Sequence, residues 1–123
     1  MTHKGDLTGH SVLVVEDEYW IATDAAHALR SAGADVIGPV SNADAAKDAV
    51  ARQRPDAVMI DINLGEGPSF ALATSLKERG IPFMFVTGYD EEFIPEEFDD
   101  VQRLQKPVEL RQMIDAVSRL VAH

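Results

Sequence analysis

Two kinds of apolar pattern alternate along this chain. Unbroken runs such as Ser11-Val12-Leu13-Val14-Val15 and Ala57-Val58-Met59-Ile60 stop abruptly at acidic residues, Glu16-Asp17-Glu18 in the first case and Asp61 in the second. Runs of that length suit strands buried on both faces of a parallel sheet. A charge fits such a strand only at its end, where the sheet stops and a crevice begins. Between these runs the apolar residues are spaced for helices. Ile21, Ala25, Ala28, Leu29 and Ala32 predict a helix from Tyr19 that Gly33 ends. Asp35 to Val40 predicts a short strand, and its Pro39 suits a sheet edge. Ser41-Asn42-Ala43-Asp44 resembles a capping box and opens a helix through Arg52, with Ala46, Ala49 and Val50 inward.

The second half repeats the alternation. Pro55-Asp56 leads into the strand that ends at Asp61, and the turn Leu64-Gly65-Glu66-Gly67-Pro68 follows. A helix from near Ser69 buries Phe70, Ala73 and Leu76 before Gly80. Ile81 to Val86 predicts a fourth strand, closed by Thr87-Gly88-Tyr89. Asp90 to Asp100, rich in acids around Phe93, Ile94, Pro95 and Phe98, predicts a short or irregular helix. Val101 to Gln105 predicts the fifth strand, with Lys106-Pro107 after it. The last helix is expected from Val108, with Leu110, Ile114, Val117 and Val121 on one stripe. A proline near its start costs no hydrogen bond there. Five strand–helix units in succession predict an α/β fold with right-handed crossovers and a parallel sheet covered on both faces. Met1 to Gly9 has no periodicity and is expected to be a flexible leader to one domain over residues 10–123.

Composition narrows the class. A chain of 123 residues fits one core. No apolar run reaches the roughly 18 residues of a membrane span, and the N-terminus is polar rather than signal-like. The sequence has no cysteine, which excludes disulfide scaffolds and thiolate metal sites. A cytoplasmic location without membrane insertion is the expectation. Twenty-one acids against eleven bases give a net charge of −10. That balance disfavours direct nucleic-acid binding, whose affinity comes largely from Lys and Arg on phosphates. It suits divalent cations and basic protein partners.

The chemistry-bearing residues fall at the ends of strands. In an open α/β sheet, ligands bind outside the carboxyl ends of the strands. Glu16 and Asp17 follow the first strand, Asp61 ends the third, Thr87 follows the fourth and Lys106 the fifth. With the first and third strands as neighbours, three carboxylates meet, and they repel one another unless a cation joins them. Oxygen ligands suit Mg²⁺ or Mn²⁺, and the backbone carbonyl of Asn63 offers one more oxygen. A strand-end lysine is a point charge suited to a phosphoryl oxygen, and a threonine hydroxyl adds a neutral hydrogen bond. The set suits attack of Asp61 on an activated phosphorus to give an aspartyl phosphate.

At this point the residues resemble a family. From Ser11 to about Val121 the chain is similar to the receiver domain of a two-component response regulator. The match runs through Glu16-Asp17 as the acidic pair, Asp61 as phosphoacceptor, Thr87 as switch hydroxyl and Lys106-Pro107 after the last strand. The resemblance implies a flavodoxin-like (βα)5 fold, a doubly wound five-stranded sheet of strand order 2-1-3-4-5. It implies a Mg²⁺-dependent response regulator that takes phosphate from a sensor histidine kinase or a histidine phosphotransfer protein. Its output would be contact with a downstream protein partner, relay of the phosphate, or a phosphate sink. Such a chain is no enzyme beyond catalysing its own phosphorylation and dephosphorylation. Phe85-Val86-Thr87-Gly88-Tyr89 is similar to the Phe-Ala-Thr-Gly signature of a subgroup of stand-alone alphaproteobacterial receivers, with Val86 in place of Ala. Arg103 stands where ordinary receivers carry the aromatic residue that turns inward on activation. That departure marks Tyr89 and Arg103 as the candidate switch and partner surface.

Each residue also has a plainer reading. The acids after the first strand favour a helix N-terminus through its dipole. Thr87 alone reads as a turn residue, Lys106 alone as a solvated lysine. Trp20 either packs on the first helix or lies beside the acidic pair. Phe93, Ile94 and Phe98 either anchor the acidic segment or present a partner surface. The four histidines show no ligand spacing. Two other functions remain open: a phosphorylation-independent binding module on the same fold, and a Mg²⁺-dependent phosphatase with an aspartyl nucleophile. Phosphatases of the haloacid-dehalogenase kind need a second Asp where this chain has Asn63. A flavodoxin-like cofactor binder is disfavoured, because the turn after the first strand is acidic rather than phosphate-cradling.

Overall fold

A computed structural model describes residues 7–64, 70–88 and 94–122. Five strands, β1 (Ser11–Val15), β2 (Asp35–Val40), β3 (Ala57–Asp61), β4 (Phe83–Thr87) and β5 (Arg103–Gln105), form one parallel sheet in the order β2-β1-β3-β4-β5. Helices α1 (Tyr19–Ser31), α2 (Ala43–Arg52), α3 (Phe70–Glu78) and α4 (Leu110–Val121) connect and cover it. This is the doubly wound, flavodoxin-like order expected from the receiver resemblance. Among the described residues, the link between β4 and β5 holds a single 3₁₀ turn, Glu96–Phe98, in the acidic segment where a short or irregular helix was expected.

Side chains alternate across the sheet and build two apolar layers. Val12, Val14, Met59, Met84 and Val86 face α1 and α4, meeting Ala25, Leu29, Met113 and Ala116. Leu13, Val15, Val58, Ile60 and Phe85 face α2 and α3, meeting Ala46, Val50, Leu72 and Leu76. The central strands β3 and β4 are buried at every position, which is why their sequences run apolar without alternation. β2 is an edge strand, as Pro39 indicated.

Several boundaries differ from the sequence reading. Leu7, placed there in the leader, is fully buried, and its N–H donates to the Ala32 carbonyl at 2.9 Å; Met1 to Asp6 lie outside the described residues. The α2 cap is Asn42 rather than Ser41: its side chain accepts from the Ala45 N–H at 2.8 Å, so the Ser41–Asp44 capping box does not form. β4 starts at Phe83, because Ile81 and Pro82 make the approach to the sheet. α4 starts at Leu110 rather than Val108. Its buried face is Met113, Ala116 and Val117, so the stripe is rotated and Leu110 stays 44% exposed. Phe98 is fully buried among Phe70, Phe83 and Phe85, so it anchors the acidic segment; Phe93 lies outside the described residues.

Candidate functional site

Sheet register assembles the site. Val15 of β1 pairs with Ile60 of β3, so Glu16, just past β1, and Asp61, the last residue of β3, stand at the same level. Asp61 pairs with Val86 of β4, which places Thr87 one step beyond it. Thr87 pairs with Gln105, and the Lys106 N–H donates to the Thr87 carbonyl at 2.9 Å. Four strand ends thus rise together at about 3.3 Å per residue. Residues as far as 90 positions apart in sequence become neighbours.

Glu16 and Asp61 are each only 3% exposed, and Thr87 is buried beside them; Asp17 and Glu18 face solvent. Glu16, Asp17 and Asp61 each offer one carboxylate oxygen, all within 4.8 Å of one another. Lys106 Nζ lies 3.1 Å from Asp61 Oδ2 and 3.4 Å from Glu16 Oε2. The Asn63 N–H donates to Asp61 Oδ1 at 3.1 Å, and the Glu18 N–H to Glu16 Oε2 at the same distance. The backbone on both sides therefore orients the carboxylates.

The electrostatics follow from the crowding. Burial, then the hydrogen bond and charge of Asp61, push the Glu16 carboxyl up to about 7. Lys106 is pulled down by its own burial, but the Asp61 and Glu16 carboxylates outweigh that and hold it above the ordinary lysine value. The acid cluster thus carries more negative charge than the Lys106 ammonium offsets. A divalent cation fits that imbalance: the donors are all hard oxygens, two of them buried and one open to solvent.

Glu16, Asp17, Asp61, Asn63, Thr87 and Lys106 are thus brought to one edge of the sheet. Arg103 is not among them. It sits on β5 opposite Phe85, exposed, and its guanidinium donates to the Phe98 carbonyl at 3.0 Å and the Val101 carbonyl at 3.4 Å. Tyr89 lies outside the described residues. Trp20, at the start of α1, is 75% exposed and meets Tyr19 edge to face with ring centroids 5.1 Å apart, so it is no core residue of the helix.

Two contributors escaped the sequence reading. Glu18 Oε1 lies 3.6 Å from Lys106 Nζ, and the run of three acids was its only signal. Gly38 acts through the backbone. The β1–β2 register shifts between Leu13 and Val15, so that Val40 pairs with Val15 and accepts the Glu16 N–H at 2.9 Å. Gly38 takes φ +86° in that bulge, and a Cβ there would stand 2.7 Å from the Val40 nitrogen. The Gly38-Pro39 dipeptide inside a strand pattern was the available signal.

No described helix is long and apolar enough to cross a membrane. The family description "Response regulator receiver domain" matches residues 12–118. An uncharacterized response regulatory protein of Vibrio cholerae is 30% identical over 115 residues, covering 90% of this chain and 48% of that one. The chain spans about half the length of the curated relatives it matches. The solution structure of the PhyR response regulator REC domain from Erythrobacter litoralis superposes with a TM-score of 0.82 at 24% identity, covering 94% of this chain and 92% of that one. The BeF3-activated conformation of SdrG from Pseudomonas melonis superposes with a TM-score of 0.76 at 32% identity, covering 90% and 95%. With its strand order, its acidic edge and a match over most of its length, this chain belongs to the receiver domain family of two-component response regulators.

Proposed function

We propose that Asp61 accepts a phosphoryl group from a phosphohistidine, carried by a sensor histidine kinase or a histidine phosphotransfer protein. One observation carries the reading: a buried carboxylate at a strand end faces an ammonium 3.1 Å away and two further carboxylate oxygens within 4.8 Å. An Asp61 oxygen attacks phosphorus, the P–N bond breaks, and the imidazole nitrogen keeps the electron pair and takes a proton from water. Glu16, Asp17, Asp61 and the Asn63 carbonyl would hold Mg²⁺ or Mn²⁺, which when bound neutralises charge on the transferring phosphoryl oxygens. Lys106 moves its charge from the unphosphorylated Asp61 carboxylate to a phosphoryl oxygen, and the Thr87 hydroxyl donates to another. The chain catalyses only its own phosphorylation and the hydrolysis that reverses it.

The output is a change of surface read by a protein partner, with relay or phosphate sink as the other uses of the same chemistry. The BeF3-activated conformation of SdrG, a similar chain, supports a response to a phosphoryl-like group. Incubation with acetyl phosphate and Mg²⁺ tests the reading by intact mass. The expected product carries one phosphate, stable in acid and labile in base, and Asp61→Asn abolishes it. Modification at another residue, or none with any small or histidine-borne donor, overturns it.

A further inference from the structure

The core layer between the sheet and the α1–α4 pair is not filled at its upper end. A cavity of about 200 Å³ remains there, floored by Met59 and Val86 and walled by Ala25, Val108 and Met113. Four of these five residues are at most 3% exposed, whereas Asp24, Pro107 and Leu110 at the mouth are exposed, so the space is a pocket with a buried floor that opens to solvent. Protein interiors normally close such gaps, because an unfilled void forfeits contacts on every wall. The apolar residues that α1 brings to the gap are Ala25 and Ile21, and the buried residues of that helix are alanines with Leu29 the single large one. Apolar cavities of about 150 Å³ are known to hold one benzene ring.

The mouth differs from the floor. Glu16 and Lys106 stand at its rim, with Asp24 beside them. A charged ligand would give up its hydration against the apolar floor, and Glu16 and Lys106 at the mouth already pair with each other at 3.4 Å. A neutral ring bearing one hydroxyl or N–H satisfies the rim, giving a hydrogen bond to the Glu16 carboxyl or taking one from Lys106. We propose that this cavity is a binding site for a small neutral aromatic molecule of the phenol or indole class, seated beneath Lys106 with its polar atom at the rim.

The position implies regulation. Lys106 is shared between the cavity rim and Asp61, so a ligand that holds Lys106 changes what is available to a phosphoryl group, and phosphorylation changes ligand affinity by the same factor. This coupling rests on the phosphoacceptor reading; binding itself does not.

The test is a methyl NMR titration of the unphosphorylated protein with phenol and with indole. The expected result is saturable shifts at Ala25, Met59, Val86 and Met113, nuclear Overhauser contacts from ring protons to the two methionine methyls, and a Kd of about 1 mM or tighter. Ala25→Leu and Met113→Phe fill the space and weaken binding by at least about tenfold. Shifts that are non-saturable, scattered over the surface or unchanged in both variants overturn the proposal. The wild-type contacts decide the matter even where a filling variant fails to fold. Repeating the titration with trifluoroberyllate separates the two readings. A bound ring with no response of Asp61 keeps the site and sinks the phosphoacceptor, whereas a responsive Asp61 with no bound ring does the reverse.

Discussion

Lys106 and Asp61 are 45 residues apart in the chain, and their side chains meet at 3.1 Å across the carboxyl edge of the sheet. β4 lies between the strands that carry them, so the pair bridges three strand ends. Lys106 also reaches Glu16 at 3.4 Å and Glu18 at 3.6 Å. One ammonium therefore serves a cluster of carboxylates that also suits a divalent cation.

Removing that ammonium separates phosphoryl transfer from metal binding. Lys106→Met leaves the carboxylates in place and takes away a competing positive charge. Mg²⁺ affinity is expected to hold or rise, while phosphorylation by acetyl phosphate slows by about 100-fold. Calorimetric Mg²⁺ titration and time-resolved intact mass check the two halves. Loss of both together would show that Lys106 acts only by holding the site's shape.

Glu16 gives the metal-free protein a pH dependence of definite sign. Its carboxyl is near 7 in the fold against an ordinary value of 4.5, so the folded state binds more protons in that window. Stability of the metal-free protein should therefore fall as pH rises from about 5 to about 7 and level off above, by on the order of 3 kcal/mol at most. A bound cation holds the carboxylate ionised, so the stabilisation by Mg²⁺ grows over the same interval. Urea unfolding with and without Mg²⁺ measures both trends. Glu16→Gln should flatten the metal-free curve, and an unchanged slope in that variant would assign the effect elsewhere.

Gly38 is expected to matter to the site without touching it. Any side chain meets the Val40 nitrogen at 2.7 Å and needs a left-handed φ of +86°. Gly38→Ala should cost about 1–3 kcal/mol and shift the bulge that lets Val40 accept the Glu16 N–H. A weaker Mg²⁺ affinity, with Glu16 and Val40 amide shifts displaced, is the signature. Loss of stability with unaltered Mg²⁺ affinity would confine Gly38 to the fold.

The acidic segment is held from three sides. Phe98 packs among Phe70, Phe83 and Phe85, Lys77 Nζ bonds the Glu97 carbonyl and lies over the Phe98 ring, and Arg103 bonds the Phe98 carbonyl at 3.0 Å. Phe98→Ala should destabilise by about 3–5 kcal/mol through the cavity it leaves. Arg103→Ala, at the surface, should cost only about 0.5–1.5 kcal/mol while raising amide exchange at Val101, whose N–H bonds the Phe98 carbonyl. Equal losses in both variants would contradict this division between buried ring and exposed clasp.

The chemistry of the site was legible because of where the apolar runs end. Val15 and Ile60 are the last apolar residues of buried runs, so Glu16 and Asp61 had to fall at strand ends. β5, in contrast, is short and mostly exposed, and Lys106 was placed by its neighbour Pro107 and its position after that strand. The helix faces were less legible. Alanines dominate α1, and a stripe of small residues does not say which flank meets the sheet; in α4 the buried flank proved to be Met113, Ala116 and Val117. Leu7 was hidden because one apolar residue in a polar stretch has no period.

By itself, the sequence determined the class of fold, the order of its elements and the residues at the strand ends, because those depend on local periodicity and on the cost of burying a charge. Only the tertiary structure decided how closely these residues meet. The distances of Lys106 from Asp61 and Glu16 depend on register between strands far apart in the chain, and the upward shift of Glu16 depends on burial. The Gly38 bulge, the Arg103 clasp and the cavity beneath Lys106 likewise arise from packing between elements. No local pattern encodes them, because each depends on partners that only the folded chain brings together.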